Sequence, residues 1–375
     1  MEKVTVQKSE ESRTMSTVIS LAEAVPPYTF DQDLVMDFTE ELFSDSFSDI
    51  KRLLSVFHNG QIKKRHFARD LDWFKKVRTL EEKNDAYIES AVELGAQAIK
   101  KCLSDEAFLL EPVPYDEIDA IFTISTTGLA TPSIDARIMN ILPFSPHTKR
   151  IPIWGLGCAG GASGLSRAHE YCLAYPDAKV LVLSIELCSL TFQKNDLSKS
   201  NLIGTSLFAD GVACALLCGR DSGFEKLRRL PASPVILGTM STTMPDSLDV
   251  MGWDIKNEGL YVIFSKSIPS IIENWLRPNV EEFLASHNMH INQIDHFIAH
   301  PGGKKVLDAY VKSLGIAPEM TDIPLAVLND YGNMSSATIM YVLKRFLEKA
   351  GHGEIGLAAA LGPGFSSELL LMRWE

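Results

Sequence analysis

Apolar residues return along this chain in two alternating rhythms. Over Ala86 to Cys102 (AYIESAVELGAQAIKKC) they recur every three or four positions, which predicts an amphipathic helix. Ile118 to Ser125 (IDAIFTIS) and Lys179 to Leu187 (KVLVLSIEL) are short apolar runs of the kind that form buried strands. The alternation predicts an α/β architecture in which helices cover strands. Two further helices stand out. In one, Leu165, Ala168, Cys172 and Tyr175 fall at i, i+3, i+7 and i+10 in a charge-poor run, so this helix is expected to be buried. In the other, Ile339, Met340, Leu343, Phe346 and Leu347 lie on one side, with Lys344, Arg345, Glu348 and Lys349 on the other.

The pattern also repeats itself. Ile118-Asp119-Ala120-Ile121-Phe122 is answered by Ile294-Asp295-His296-Phe297-Ile298. Gly157-Cys158-Ala159-Gly160-Gly161-Ala162-Ser163 is answered by Gly332-Asn333-Met334-Ser335-Ser336-Ala337-Thr338. The offsets, 295 − 119 = 176 and 333 − 158 = 175, agree between independent pairs. A duplicated α/β half follows, the first spanning 15–230 and the second 231–375, with Pro231 to Pro234 as the boundary. Residues 1–14 are polar, rich in Lys, Glu and Ser, and are expected to be a disordered lead. In a two-fold duplicated unit, equivalent turns face each other across the pseudo-axis. Cys158 and Asn333 could therefore share one site.

Composition narrows the function. A net charge of −12 over 375 residues argues against a nucleic-acid partner. No run approaches the roughly 18 apolar residues of a membrane span, so no integral membrane association is expected. Six cysteines are scattered without a CxxC pair, which suits free thiols in a cytoplasmic, reducing compartment and disfavours a metal site.

Three residues carry candidate chemistry. Cys158 follows a strand and a glycine-rich turn and precedes a helix of small residues. Unpaired N–H groups and the helix dipole there favour a thiolate; the plainer reading is a small core side chain. His300 closes the apolar run Phe297-Ile298-Ala299 before a Pro-Gly-Gly break, where it could meet a cavity and pair with a thiolate as imidazolium, or serve the fold alone. Asn333 offers an uncharged amide donor that suits an oxyanion or enolate, although Asn after Gly also caps helices. A hydrolytic thiol enzyme would use the same trio, so residue types alone leave the reaction open.

The strings GLGCAGGASGL, SNLIGTSLFADG, IAHPGGKKVLDAY, YGNMSSAT and ALGPGFSSELL resemble type III polyketide synthases, the chalcone synthase family on the thiolase fold, and bacterial alkylpyrone synthases in particular. The resemblance implies a thiolase-like layered fold of two duplicated α/β halves, with Cys158 as acyl-carrying nucleophile and His300 and Asn333 as enolate donors. It implies a gatekeeping Phe208, a second gate at Val262, and a cavity lined by Thr126, Thr127, Thr191, Gly252 and Ser335. Gly362, Pro363 and Gly364 would shape the cyclisation pocket, and Thr131 would reach across a homodimer interface. The substrates would be acyl-CoA, fatty acyl in particular, and malonyl-CoA, with no cofactor, and the products alkylpyrones or alkylresorcinols. For CoA, only Arg52 matches the family's basic positions, since Ser55 and Asn59 replace the others. Lys63, Lys64, Arg65, Lys304 and Lys305 are the candidates to compensate. The alternatives are an initiating ketoacyl-carrier-protein synthase and an inactive acyl-CoA-binding scaffold.

Overall fold

The computed structural model describes residues 15–44 and 50–375; the expected disordered lead 1–14 lies outside them. The strands are β1 (Ser16–Ala24), β2 (Tyr28–Asp31), β3 (Lys64–Phe67), β4 (Ala120–Ser125), β5 (Lys149–Trp154), β6 (Lys179–Leu187), β7 (Asp210–Gly219), β8 (Pro234–Thr243), β9 (Met251–Lys256), β10 (Gly259–Phe264), β11 (His296–Ala299), β12 (Ile355–Gly362) and β13 (Ser366–Trp374). The longer helices are α1 (Gln32–Phe43), α2 (Leu80–Cys102), α3 (Gly160–Ala174), α4 (Lys199–Leu207), α5 (Ile268–Ser286), α6 (Lys304–Leu314), α7 (Asp322–Tyr331) and α8 (Thr338–Lys349).

Nine strands run in the order β11-β12-β13-β8-β1-β7-β6-β4-β5, and the duplication is visible in how they pair. In the first half β4 and β6 are parallel, β6 and β7 antiparallel, and β7 and β1 antiparallel. In the second half β11 and β12, β12 and β13, and β13 and β8 repeat that sequence. Strand starts keep the offset, at 296 − 120 = 176 and 355 − 179 = 176. The halves meet where β1 pairs with β8 at Ser16–Ile236 and Thr17–Val235.

The layers follow from burial. Every residue of β7 is buried, which requires cover on both faces. Helix α2 packs on β1, β6 and β7 from outside, while α3 touches β4, β6 and β7 on one side and β12 and β13 on the other. Helix α8 packs beside α3, and α5 and α6 close the second half. The duplicated, thiolase-like α/β halves expected from the sequence are what the chain forms. Helix α3 can sit between the two halves because its residues are small. A Cβ on Gly161 would lie 2.1 Å from the Ser336 carbonyl oxygen, so the two echoed turns abut.

Local details depart from the sequence expectations. Helix α2 begins at Leu80, six residues before the periodic stretch, because Thr79 and Glu82 form a reciprocal cap worth about 1 kcal/mol. Tyr175 lies beyond the end of α3 and is 48% exposed rather than part of its buried stripe. Lys344, expected on the outer face of α8, is buried and paired with Glu23 at 3.2 Å. Among the described residues no helix is long and apolar enough to cross a membrane, and all six cysteines are free thiols.

Candidate active site

Three chain reversals deliver the trio. Strand β5 ends at Trp154, and the chain doubles back through Gly155 (φ +95°) and Gly157 (φ +48°), a left-handed geometry that favours glycine. This leaves Cys158 in a tight turn directly before α3. His300 follows the last residue of β11, with its backbone N–H donating to the Ala359 carbonyl at 2.9 Å. Helix α7 stops at Gly332 (φ +74°), and Asn333 comes next. The Asn333 backbone is stitched to the chain beside Phe208: its N–H donates to Leu207 O, and its carbonyl accepts from Ala209 N, both at 2.9 Å. Cys158, His300 and Asn333 line one cavity of about 490 Å³.

The cysteine Sγ lies 4.0 Å from Asn333 Oδ1. The amide orientation is fixed by its other partners, since Oδ1 accepts from Ser335 N at 2.8 Å and Nδ2 donates to Gly302 O at 3.1 Å. Flipping the amide would break both bonds. Asn333 thus turns its oxygen to the thiol and retains one amide hydrogen beyond that given to Gly302.

Protonation departs from the thiolate expected of a helix N-terminus. Burial pushes the Cys158 thiol up to about 12 against a hydrogen bond to Ser335 that favours the thiolate. Burial likewise pushes His300 down to about 3. Each group taken alone is neutral.

Below the trio lies a carboxylate that sequence reasoning missed. Glu186, the penultimate residue of β6, is fully buried and is pushed up to about 7 by desolvation. It accepts from Thr126 N at 3.1 Å, from Thr127 Oγ1 at 2.9 Å, and from Ser336 Oγ. Thr126 Oγ1 in turn accepts from Gly157 N at 3.0 Å. Thr126 and Thr127, expected to line the cavity, instead tie the nucleophile turn to the Asn333 turn through Glu186. A lone acid in an otherwise apolar strand was the signal.

Phe208, Gly252, Val262, Ser335 and Pro363 do line a chamber beside Cys158. Phe208 packs against two aromatics that the sequence reading did not single out, Trp253 at 5.7 Å and Phe264 at 5.5 Å between centroids. A Cβ on Gly252 would meet nothing within 4 Å, so this glycine leaves open space. Gly362 presses on the nucleophile turn, where a Cβ would fall 2.4 Å from Leu156 O; Gly364 (φ +68°) completes the reversal. Thr191 lies outside this chamber, in a narrow apolar cleft beyond Phe208, Trp253 and Val262 that is walled by Val35, Phe38, Leu42 and Phe74.

The outer end of the large cavity is basic. Lys304 and Lys305 line it as expected, joined by Lys199 and Lys266, for which the sequence held no signal. Lys304 also pairs with Asp308. Arg52 is exposed and does not line the cavity, nor do Lys63 and Lys64. Arg65 is a correction: it is 1% exposed and donates to the Phe208 carbonyl at 3.0 Å, so it braces the gate from behind and has no access to a CoA phosphate. Thr131 is exposed and away from the cavity in the single chain.

Comparison with known proteins matches this sequence and fold to a named group. The model for chalcone and stilbene synthases, N-terminal domain, matches residues 3–222, and that for the C-terminal domain matches residues 236–374. A Bacillus subtilis protein named "Putative chalcone synthase" is 53% identical over 364 residues, covering 96% of this chain and 99% of that one. A Mycobacterium tuberculosis protein named for alpha-pyrone synthesis, polyketide synthase-like, is 30% identical over 96% of this chain and 91% of its own length. The crystal structure of 1,3,6,8-tetrahydroxynaphthalene synthase from Streptomyces coelicolor, a bacterial type III polyketide synthase, superposes with a TM-score of 0.86 at 28% identity, covering 96% of this chain and 99% of that one.

Proposed function

Because the chain belongs to the chalcone and stilbene synthase family of type III polyketide synthases, which are decarboxylating condensing enzymes, we propose that it loads a fatty acyl group from CoA onto Cys158 and extends it with malonyl-CoA to alkylpyrone or alkylresorcinol products. The observation that carries this reading is the convergence of Cys158, His300 and Asn333 on one cavity.

In the proposed cycle, Cys158 passes its proton to His300 and attacks the starter thioester, and CoA leaves as the thiol with that proton. The thioester oxygen of malonyl-CoA then lies against His300 and the free amide hydrogen of Asn333. Carbon dioxide departs, its bonding electrons become an enolate, and the two donors hold the charge on oxygen. Removing one such donor typically costs on the order of a hundred- to thousandfold in rate. The enolate carbon attacks the acyl-Cys158 carbonyl, so a carbon–carbon bond forms as the carbon–sulfur bond breaks. The β-ketoacyl chain returns to Cys158 for another round. Attack of an enol oxygen on the thioester carbonyl expels the thiol and gives a pyrone; carbon attack on a keto group with loss of water, followed by thioester hydrolysis and loss of carbon dioxide, gives a resorcinol. Each extension takes up one proton from solvent as carbon dioxide leaves, and no step changes oxidation state in a way that needs a redox cofactor. Phe208, on the chamber wall, would disfavour the carboxylate and tolerate neutral carbon dioxide. Lys199, Lys266, Lys304 and Lys305 would receive the CoA phosphates.

The aliphatic starter is supported by the hydrocarbon cleft beyond Val262 and by the alpha-pyrone relative. Phe208, Trp253 and Val262 line both that cleft and the chamber beside Cys158, so a chain on Cys158 would have to pass them to enter it. Val262→Phe is therefore expected to shorten the preferred starter, with about tenfold loss on the longest acyl-CoAs and little on the shortest. An unchanged chain-length profile would rule this route out. The reaction class is tested by incubating the enzyme with malonyl-CoA and a ladder of fatty acyl-CoAs, then identifying products by mass spectrometry. Activity that requires a carrier protein, or binding without turnover, would overturn the proposal.

A cytoplasmic homodimer completes it. Strand β5 is one of the two edges of the sheet, the other being β11, and carries Trp154, 46% exposed; an unpaired edge is a template for a second copy. Thr131 would then reach the partner's cavity. Sedimentation is expected to give twice the chain mass, and Trp154→Asp to shift it toward monomer. A variant that sediments like the native protein would move the interface elsewhere.

A further inference from the structure

The cavity holds a buried, unpartnered polar group that this scheme leaves idle. Tyr310, on α6, is fully buried, with its ring edge-on to Phe297 of β11 at 5.5 Å between centroids. It lines the same cavity as Cys158, His300 and Asn333, and its hydroxyl has no hydrogen-bond partner in the protein. Among the described side chains of this cavity, buried polar atoms without partners occur only at His300 and Tyr310. The neighbouring wall of Ile268, Ile272, Val306 and Leu361 is hydrocarbon. Packing explains the ring and leaves the oxygen unexplained. A phenylalanine would fill the space without the desolvation penalty of an orphan hydroxyl.

We propose that Tyr310 is a third hydrogen-bond donor of the Cys158 cavity, offered to a carbonyl oxygen of the bound thioester substrate. The inference rests on the condensing reading of the site and adds a substrate contact to it. The direction of the bond follows from ionisation. Burial, and then the nearby Cys158 sulfur, hold the phenol above its ordinary range, so it keeps its proton throughout the working pH. Two carbonyls could receive it. One is an amide of the pantetheine arm, common to every CoA substrate; the other is a keto group of the growing chain, present only after the first condensation.

Tyr310→Phe deletes the oxygen alone. Because that oxygen bonds to nothing in the free protein, the thermal midpoint is expected to stay the same or rise. The efficiency with malonyl-CoA is expected to fall about three- to tenfold, the worth of one neutral hydrogen bond. Measuring Cys158 acylation by the starter alongside product formation separates the sources. If both fall, the acceptor is on the pantetheine arm; if only extension falls, it is on the keto chain. Native kinetics in the variant would overturn the proposal. So would a lowered midpoint, since the hydroxyl would then be serving the fold. Absence of product from the unmutated enzyme would instead overturn the condensing reading, and that control comes first.

Discussion

Replacing Cys158 by alanine is expected to lower product formation by on the order of 10⁴-fold or more, the scale seen when a covalent nucleophile is removed. The fold should survive, because the side chain is small and sits in a turn set by Gly155, Gly157 and Glu186 rather than by the sulfur. The variant should take up no mass on incubation with acyl-CoA, whereas the native chain should gain one acyl group at residue 158. Release of carbon dioxide from malonyl-CoA should persist at a reduced rate, because His300 and Asn333 still line the cavity and can hold the enolate oxygen without an acyl acceptor. The resulting acetyl-CoA would then accumulate in place of polyketide. This split between lost loading and surviving decarboxylation separates a condensing enzyme from a passive acyl-CoA binder, which would do neither. Full product formation by the variant would refute the nucleophile assignment.

The sequence made the duplication legible because both halves keep the same spacing from their first parallel strand to their catalytic turn. That spacing is set by β4 to the Cys158 turn in one half and by β11 to the Asn333 turn in the other. Cys158 and Asn333 could therefore be brought together across the pseudo-axis from the sequence, while His300 joined them through its strand-end position and the family resemblance. What stayed hidden depends on contacts between distant segments. Arg65 reads as part of a basic surface run with Lys63 and Lys64. Its side chain nevertheless turns inward, because the backbone carbonyl of Phe208 needs a donor there. Lys344 follows the periodicity of an outer face, yet Glu23 of β1 captures it. Trp253 sits on the short β9–β10 hairpin, whose folding over Phe208 no local pattern encodes. Thr126 and Thr127 carried the right address and the wrong task. They lie next to the site, but Glu186 takes up the Thr127 hydroxyl and the Thr126 backbone N–H, while the Thr126 hydroxyl accepts from Gly157 N.

The other large effect belongs to His300 and is best seen in its pH dependence. Burial holds the Cys158 thiol up to about 12 and the imidazole down to about 3 when each is taken alone. Moving one proton from sulfur to imidazole leaves the net charge unchanged and sets opposite charges against each other in a poorly screened cavity. Their attraction returns part of both desolvation costs. In the proposed mechanism the thiolate forms only together with its imidazolium partner, and such a pair titrates as a unit. In His300→Ala the proton has nowhere local to go, and the thiol is left with its burial-raised value. The sign follows directly: below about pH 12 the variant holds less thiolate than the native protein, and that fraction rises about tenfold for each pH unit. Alkylation of Cys158 by iodoacetamide should be on the order of a hundredfold slower at pH 7 than in the native enzyme, and should climb steeply through pH 9. The native curve should be shallower over the same range. Malonyl-CoA decarboxylation should fall by on the order of a hundred- to thousandfold. His300→Gln, which restores a donor without a base, should recover decarboxylation in part while leaving alkylation slow. Superimposable alkylation profiles for the native enzyme and His300→Ala would show that the imidazole does not activate the thiol.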